Sequence, residues 1–197
     1  KMHPRSIELG SVYNMPIYVA SSFSDSPGTL IHGEVTMLEQ TVKVTGITYD
    51  HNVAKITLRG IPDKPGVAAE LFDPLSDVGI SVDTIVQNTS IDKITDLSFT
   101  VTRDELENAA KVVGPIAKSL GAEDFTTDES LAKVSIVGAG MLNSPGYASL
   151  MFKTLAKSNV NIDMITTSEI RITCIVNESG VQAAVKSLHD AFFLEQP

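Results

Sequence analysis

The chain contains no tryptophan, a single cysteine and, at 6% of 197 residues, few aromatic side chains. One cysteine excludes an internal disulfide framework, and with no secretion-signal pattern it points to a reducing, cytoplasmic compartment. No apolar run reaches the ~18 residues that would span a bilayer. Positive charge is also scarce: 15 lysines and arginines stand against 24 aspartates and glutamates, a formal charge of −9. Such a surface has little with which to neutralise phosphates, so nucleic acid and anionic membranes are excluded as partners. Catalytic signatures are missing too. His3, His32, His51 and His189 have no metal-ligand spacing with Cys174 or with a carboxylate pair, and neither a nucleophile elbow nor a phosphate-cradling glycine loop occurs. Pro27-Gly28 has no helix start after it and reads as a turn. Cys174, alone on an apolar strand, reads as a small buried hydrophobe.

What the chain does have is a repeat. Ala54-Lys-Ile-Thr-Leu-Arg-Gly-Ile-Pro-Asp-Lys-Pro-Gly-Val-Ala-Ala-Glu-Leu-Phe72 is answered by Ala132-Lys-Val-Ser-Ile-Val-Gly-Ala-Gly-Met-Leu-Asn-Ser-Pro-Gly-Tyr-Ala-Ser-Leu-Met-Phe152. Each copy is an apolar strand, a loop closing on Pro-Gly and an amphipathic helix. Gly79-Ile-Ser-Val-Asp-Thr-Ile-Val-Gln-Asn88 then matches Asn159-Val-Asn-Ile-Asp-Met-Ile-Thr-Thr-Ser168, which sets Asp83 on Asp163 and Gln87 on Thr167. Two copies of one supersecondary unit follow.

The first copy predicts strand Lys55–Arg59, helix Gly66–Val78, strand Val82–Gln87, strand Asp96–Thr102, helix Asp104–Leu120 and strand Glu123–Thr127. That βαββαβ order implies an α+β fold, an antiparallel sheet with helices on one face. Pro74 and Pro115 should kink or shorten their helices. The second copy predicts strands Lys133–Val137, Ile162–Thr167 and Arg171–Val176 with helices Gly146–Lys157 and Gly180–Phe192, but it lacks a fourth strand. An alternating stretch, Thr41–Tyr49, precedes the first copy and turns at Asp50-His-Asn52. A sheet with an empty slot gains a row of backbone bonds by taking it. The expected organisation is therefore a first domain over 53–130 inserted within a second over 131–197, the latter completed by 41–49. Residues 32–40 read as a linker. Residues 1–31 lie outside the repeat, and the opening on Lys1 in mid-pattern reads as an excerpt of a longer polypeptide.

Chemistry is best placed at the two strand–loop–helix junctions, where unpaired N–H groups and the positive helix end suit a carboxylate. In the first, Pro65 fixes the approach to the helix and Gly66 lets a ligand come close to the backbone. Asp63, two residues before Pro65, is placed to take an ammonium group. Together these outline a site for a free α-amino acid. The alternative is that Asp63 shapes the turn and Pro-Gly only starts the helix. Asp83, Gln87 and Asn88, on or just beyond a strand, could read a ligand's polar groups, as could Asn161, Ile162, Thr167, Ser168 and Glu169 in the second copy. They could equally be loop formers.

These residues resemble the regulatory end of aspartate kinase (aspartokinase), with its two ACT domains of ferredoxin-like βαββαβ fold. The signatures are Asp63-Lys-Pro-Gly66, Val86-Gln-Asn88, Thr95-Asp-Leu-Ser-Phe-Thr100, Val137-Gly-Ala-Gly-Met141 and Ser168-Glu-Ile-Arg-Ile172. Lys1-Met-His-Pro-Arg5, Ser21-Ser-Phe-Ser24 and Pro27-Gly-Thr-Leu-Ile31 look like the close of an amino-acid-kinase domain, so residues 1–31 would be its C-terminal remnant. The resemblance implies an enzyme that phosphorylates the side-chain carboxylate of aspartate with ATP and Mg, under feedback by lysine, threonine or both, in lysine and threonine biosynthesis. It places effector contacts on Asp63, Gly66, Val67, Ala68, Asp83, Gln87 and Asn88 of the first domain. From the second it adds Met141, Asn161, Ile162 and Ser168. The family's catalytic motifs lie outside this chain, which is expected to bind no cofactor and to be inactive alone, with a catalytic kinase domain or subunit as its partner. The exposed edges and helix-free face of such sheets imply a homodimer. Two other readings compete: a free-standing ACT-type amino-acid-binding regulator, and a structural dimerisation unit without a ligand.

Overall fold

The computed structural model describes residues 2, 4–24, 27–32, 44–88, 93–138, 141 and 145–192. The expected linker beyond His32, the start of the strand expected over 41–49, Asn143 and residues 193–197 lie outside them. The chain forms two compact units, Lys1–Lys43 and Val44–Pro197.

In the first unit, helix α1 (Pro4–Val12) precedes an antiparallel pair of short strands, β1 (Ile17–Val19) and β2 (Thr29–Ile31). The alternating stretch Ile17–Phe23 is a strand only as far as Val19. The Ser21 hydroxyl accepts the Phe23 N–H at 3.1 Å, a local turn bond that takes the backbone out of the ladder.

Among its described residues the second unit is a six-stranded antiparallel sheet with four α-helices and one 3-10 turn. Its elements are β3 (Gly46–Pro62), α2 (Val67–Asp77), β4 (Ile85–Gln87), β5 (Ile94–Val101), α3 (Arg103–Ser119), β6 (Asp124–Val137), α4 (Tyr147–Lys157), β7 (Ile162–Thr167), β8 (Arg171–Asn177) and α5 (Val181–Ala191). The strand order is β4-β5-β3-β6-β8-β7. Two strands expected as separate pieces are fused: β3 runs through the turn expected at Asp50–Asn52, and β6 joins the segments expected at 123–127 and 133–137. Side-chain bonds explain the first difference. Asp50 Oδ1 accepts the Asn52 N–H at 2.9 Å, and Asn52 Oδ1 accepts the Arg103 N–H at 2.9 Å. These absorb register shifts between Asp50 and Lys55 as bulges, and the chain does not reverse. In β6, Asp128 likewise accepts the Ser130 N–H and hydroxyl, which hold its carboxyl below the usual range despite some burial.

Each half of β3 serves a different repeat. Ala54–Pro62 lies between β5 and the start of β6, whereas Gly46–Asp50 pairs with Val137–Lys133 beside β8. Both halves thus have the four-strand order of a ferredoxin-like βαββαβ unit, the second taking its last strand from ahead of the first. Apolar alternation directs each core. Ile56, Leu58, Leu97 and Phe99 face Leu71 and Leu75 of α2 and Val113 of α3. Val134, Ile136, Ile172 and Cys174 face Met151 and Leu155 of α4 and Leu188 of α5. Pro74 and Pro115 lie inside continuous helices, so the expected shortening does not occur. Buried Leu71 and Leu75 bracket the first proline and Val113 and Ala117 the second, and core packing holds the turns that lose a backbone bond. The strand expected from Val82 begins at Ile85, because the Thr100 hydroxyl takes the Thr84 N–H at 3.1 Å.

The helix-free faces are not left open to a second chain along their whole extent, as the dimer expectation assumed. Val53, Leu131, Met164 and Ile175 form a third buried cluster with Val86 against it, joining β4 of one half to β7 of the other. At the same crossover the Arg103 guanidinium donates to the Leu131 carbonyl at 2.8 Å and pairs with Glu178 at 2.6 Å.

Leu131→Ala removes buried volume from this joint and should cost about 2–5 kcal/mol in urea unfolding. Because β3 and β6 belong to both halves, amides of β5 and β8 should lose hydrogen-exchange protection together. Protection kept by β8 while β5 opens would overturn that shared cooperativity.

Candidate functional site

Strand direction sorts the expected site residues. β3 and β4 both run antiparallel to β5, so their C-terminal ends lie at one end of the first half-sheet. Asp63, Gly66, Val67, Ala68, Gln87 and Asn88 all come to that end. Asp63 is half-buried and donates its N–H to the Lys93 carbonyl at 2.8 Å, and the Asn88 carbonyl accepts the Thr95 hydroxyl. Among the described residues no ion pair reaches the Asp63 carboxylate.

Gly66 starts α2 at φ 99° with no side-chain cap, and Gly146 starts α4 in the same way at φ 110°. This left-handed conformation strains any residue with a Cβ. The helix carbonyl ladder begins with Glu70 N–H on Gly66 and Leu150 N–H on Gly146, at 2.9 and 2.8 Å. The N–H groups ahead of it, on Ala68 and Ala69 in the first copy, are the uncapped ones. Val67 turns its side chain into the core, leaving only its backbone to meet a ligand.

In the second half Met141 and Ser168 share the corresponding end with Gly146. Met141 is buried in the core, whereas Ser168 is exposed and donates its N–H to the Arg171 carbonyl at 2.8 Å. Asp83, Asn161 and Ile162 lie at the opposite ends, a strand length away, and Ile162 packs on the second core.

Asp83 is already engaged. Its Oδ2 lies 2.5 Å from Lys133 Nζ, across the joint between the halves. The repeat-related pair, Lys55 with Asp163, makes the same bridge in the other direction. Thus each repeat's first strand sends a lysine to the aspartate that opens the other repeat's second strand. Sequence reading placed Asp83 on Asp163 but missed this exchange, although a lysine set at one point in both apolar strands was a visible signal.

Beside Asp83 a cleft of about 360 Å3 opens on the helix-free face of the second half. The register puts Thr48, Ser135, Thr173 and Thr166 in one row across four strands. Ser135 and Thr173 share a 2.7 Å hydrogen bond. Asp50 and Lys133 border the row on one side and Arg171 on the other. Cys174, on the core face of the same strand, has its thiol pushed up to about 12 by burial and is not a nucleophile. Among the described residues no cluster of metal-binding side chains occurs.

Comparison with known proteins agrees with this geometry. The ACT domain family matches residues 56–116 and, in a second form, 134–192. An aspartate kinase of Pseudomonas fluorescens (strain SBW25) is 45% identical over 98% of this chain and 47% of its own length. A structure of aspartokinase alpha and beta subunits is 42% identical, with TM-score 0.72, over 77% of this chain and 99% of its own. The ligand-free regulatory subunit of aspartate kinase from Thermus thermophilus is 38% identical, with TM-score 0.73, over 76% and 99%.

The chain belongs to the aspartate kinase family. It spans about half the length of the curated relatives it matches and corresponds to their regulatory region, with two ACT domains of ferredoxin-like fold. Among the described residues no helix is long and apolar enough to cross a membrane.

The reciprocal pairs of these ACT domains are partly shielded, both lysines being 20% exposed. A double-mutant cycle of Asp83→Asn with Lys133→Met should return a coupling of about 0.5–1 kcal/mol, and the Asp163/Lys55 cycle a similar one. Zero coupling in both would show the bridges to be incidental.

Proposed function

We propose that this chain is the feedback-control region of an aspartate kinase, binding lysine, threonine or both, and thereby restraining ATP- and Mg-dependent phosphorylation of aspartate by a catalytic domain or subunit. The observation that carries this reading is the first helix junction. An uncapped helix start at Gly66 offers N–H groups to a carboxylate, and Asp63, with no ion pair among the described residues, stands beside it to take an ammonium. Gln87 and Asn88, at the same end, are the groups to read a side chain. Asp83, Met141, Asn161, Ile162 and Ser168 complete the proposed set. Asp63, Gly66, Val67, Ala68, Gln87 and Asn88 share one end within a single chain, whereas Asp83, Asn161 and Ile162 would need a second chain to join them.

We assign 53–130 to the first ACT domain and 131–197 to the second, with 41–49 completing it, in a cytoplasmic homodimer without nucleic acid. Among the described residues Gly46–Asp50 of β3 pairs on one side only, and its other edge is a surface for such pairing. Light scattering should report a dimer of the 21.1 kDa chain, and a monomer at all concentrations with and without effector would refute it.

Calorimetric titration with lysine and threonine tests the site directly. Asp63→Ala leaves a bound ammonium without its partner and should cost about 1.5–3 kcal/mol, ten- to a hundred-fold in affinity. In the complete enzyme, inhibition should require correspondingly more effector while the uninhibited rate stays unchanged, since an effector acts only through its tighter binding to the inactive state. Parental affinity of Asp63→Ala for both amino acids would reduce the junction to a turn.

A further inference from the structure

We infer that the crossover between the two ACT domains is a hinge and that Arg103 is its latch, one guanidinium holding both domains at once. The hinge lies where the ribbon of β3 and β6 is thinnest. Pairing is continuous over Gly46–Asp50 and over Lys55–Arg59, but between the two register shifts only Val53 and Leu131 are paired. Local side-chain bonds occupy the backbone there instead: Asp50 takes the Asn52 N–H and Asp128 the Ser130 N–H, each at 2.9 Å. A ribbon joined by one residue pair bends at little cost, because few ladder bonds resist it. The angle between the halves therefore depends on what closes across the crossover.

The repeats are related by an approximate two-fold axis through this point. Lys55 reaches Asp163 and Lys133 reaches Asp83, one bridge made twice in opposite directions. Counted from those lysines, Val53 corresponds to Leu131. Counted from the hydroxyl pairs Thr57–Ser98 and Ser135–Thr173, Arg103 corresponds to Glu178. The Arg103 guanidinium donates from Nε to the Val53 carbonyl at 3.4 Å and from Nη2 to the Leu131 carbonyl at 2.8 Å, the same carbonyl in the two copies. Nη2 also meets Glu178 at 2.6 Å, so the ion pair joins one position of the repeat to its own counterpart. Identical residues there would repel across the axis, and the copies carry opposite charges instead. Arg103 opens α3, and Glu178 opens the 3-10 turn Glu178–Gly180 that leads into α5, so the latch ties the helix layer of one domain to that of the other. The Arg103 N–H on Asn52 Oδ1 fastens it to the hinge strand. Both side chains keep part of their surface in water, at 30% and 44% exposure, so opening strands no dry charge and is reversible. On the feedback-control reading of this chain, the latch governs how the two helix junctions, at opposite ends of the ribbon, are set relative to each other. Its test needs no effector and stands apart from that reading.

Charge reversal in the whole chain provides the test, with Arg103→Glu, Glu178→Arg and the two combined. Spin labels on the exposed positions Asn108→Cys of α3 and Ala183→Cys of α5 report the distance between helix layers, the buried Cys174 being out of reach of the label. Amide hydrogen exchange over Asn52–Ala54 and Ser130–Ala132 reports the hinge itself. Either single reversal should broaden the label distances and speed that exchange about ten-fold, as loss of one charge-assisted bond does. The combined reversal should restore both, because an arginine supplied from the other repeat meets the same pair of carbonyls. A combined variant no better than Arg103→Glu would overturn the two-fold latch. Label distances and exchange unchanged in Arg103→Glu would overturn the hinge. Should the reversals not fold, Glu178→Gln, which removes only the charge, should still broaden the distances, and parental distances in that variant would overturn the latch as well.

Discussion

The structure depends on the pairing of two long strands, β3 with β6. Neither repeat has a complete sheet without its share of that ribbon, because Gly46–Asp50 fills the fourth slot of the second and Asp124–Asp128 the fourth slot of the first. Backbone hydrogen bonding makes this obligatory: a half-sheet without its last strand exposes a row of unpaired N–H and carbonyl groups over a core that needs covering. Once the ribbon is shared, the rest follows. The helices take the outer faces, the inner faces meet at Val53, Leu131 and Met164, and the lysines of both first strands find aspartates on the opposite repeat.

Much of this was legible in the chain. The duplicated Pro-Gly junctions and the apolar periods identified the elements of both halves, and the counting of strands found an empty slot and a spare strand. What the sequence did not show was continuity. Asp50, His51 and Asn52 have the composition of a turn, and only their neighbours decide otherwise: the Arg103 N–H, delivered by α3, draws Asn52 into a bulge. Local residue preference was overridden by a partner distant in sequence. The prolines did not shorten their helices for a related reason, since burial of the flanking leucines, valine and alanine outweighs one missing bond.

The candidate site was legible only in part. Asp63 and Gly66 could be read because a glycine and an acid at a helix start carry local meaning. Asp83 was named from its place on the repeat, but its bridge to Lys133 could not be read, since that partner is supplied by the other repeat through a register the sequence leaves open. Duplicated proteins pose this difficulty generally. Copies resemble each other where structure demands it, and they diverge where function is asymmetric. Asp96 and Arg171 differ between the copies, while Lys55 and Lys133 are alike and make the same bridge.

The strand shared between the repeats also sets an order of events during synthesis. Gly46–Asp50 leaves the ribosome before any of the first repeat, yet its partner segment, Lys133–Val137, comes after all of it. The first half can close early, around contacts nearly all its own, while the leading strand waits unpaired with Ile47 facing no core. The second half then assembles on a template already held at one edge. Long-range pairing of this sort slows folding and leaves an open edge in the meantime. The −9 charge of the chain is one safeguard against that edge finding another molecule first.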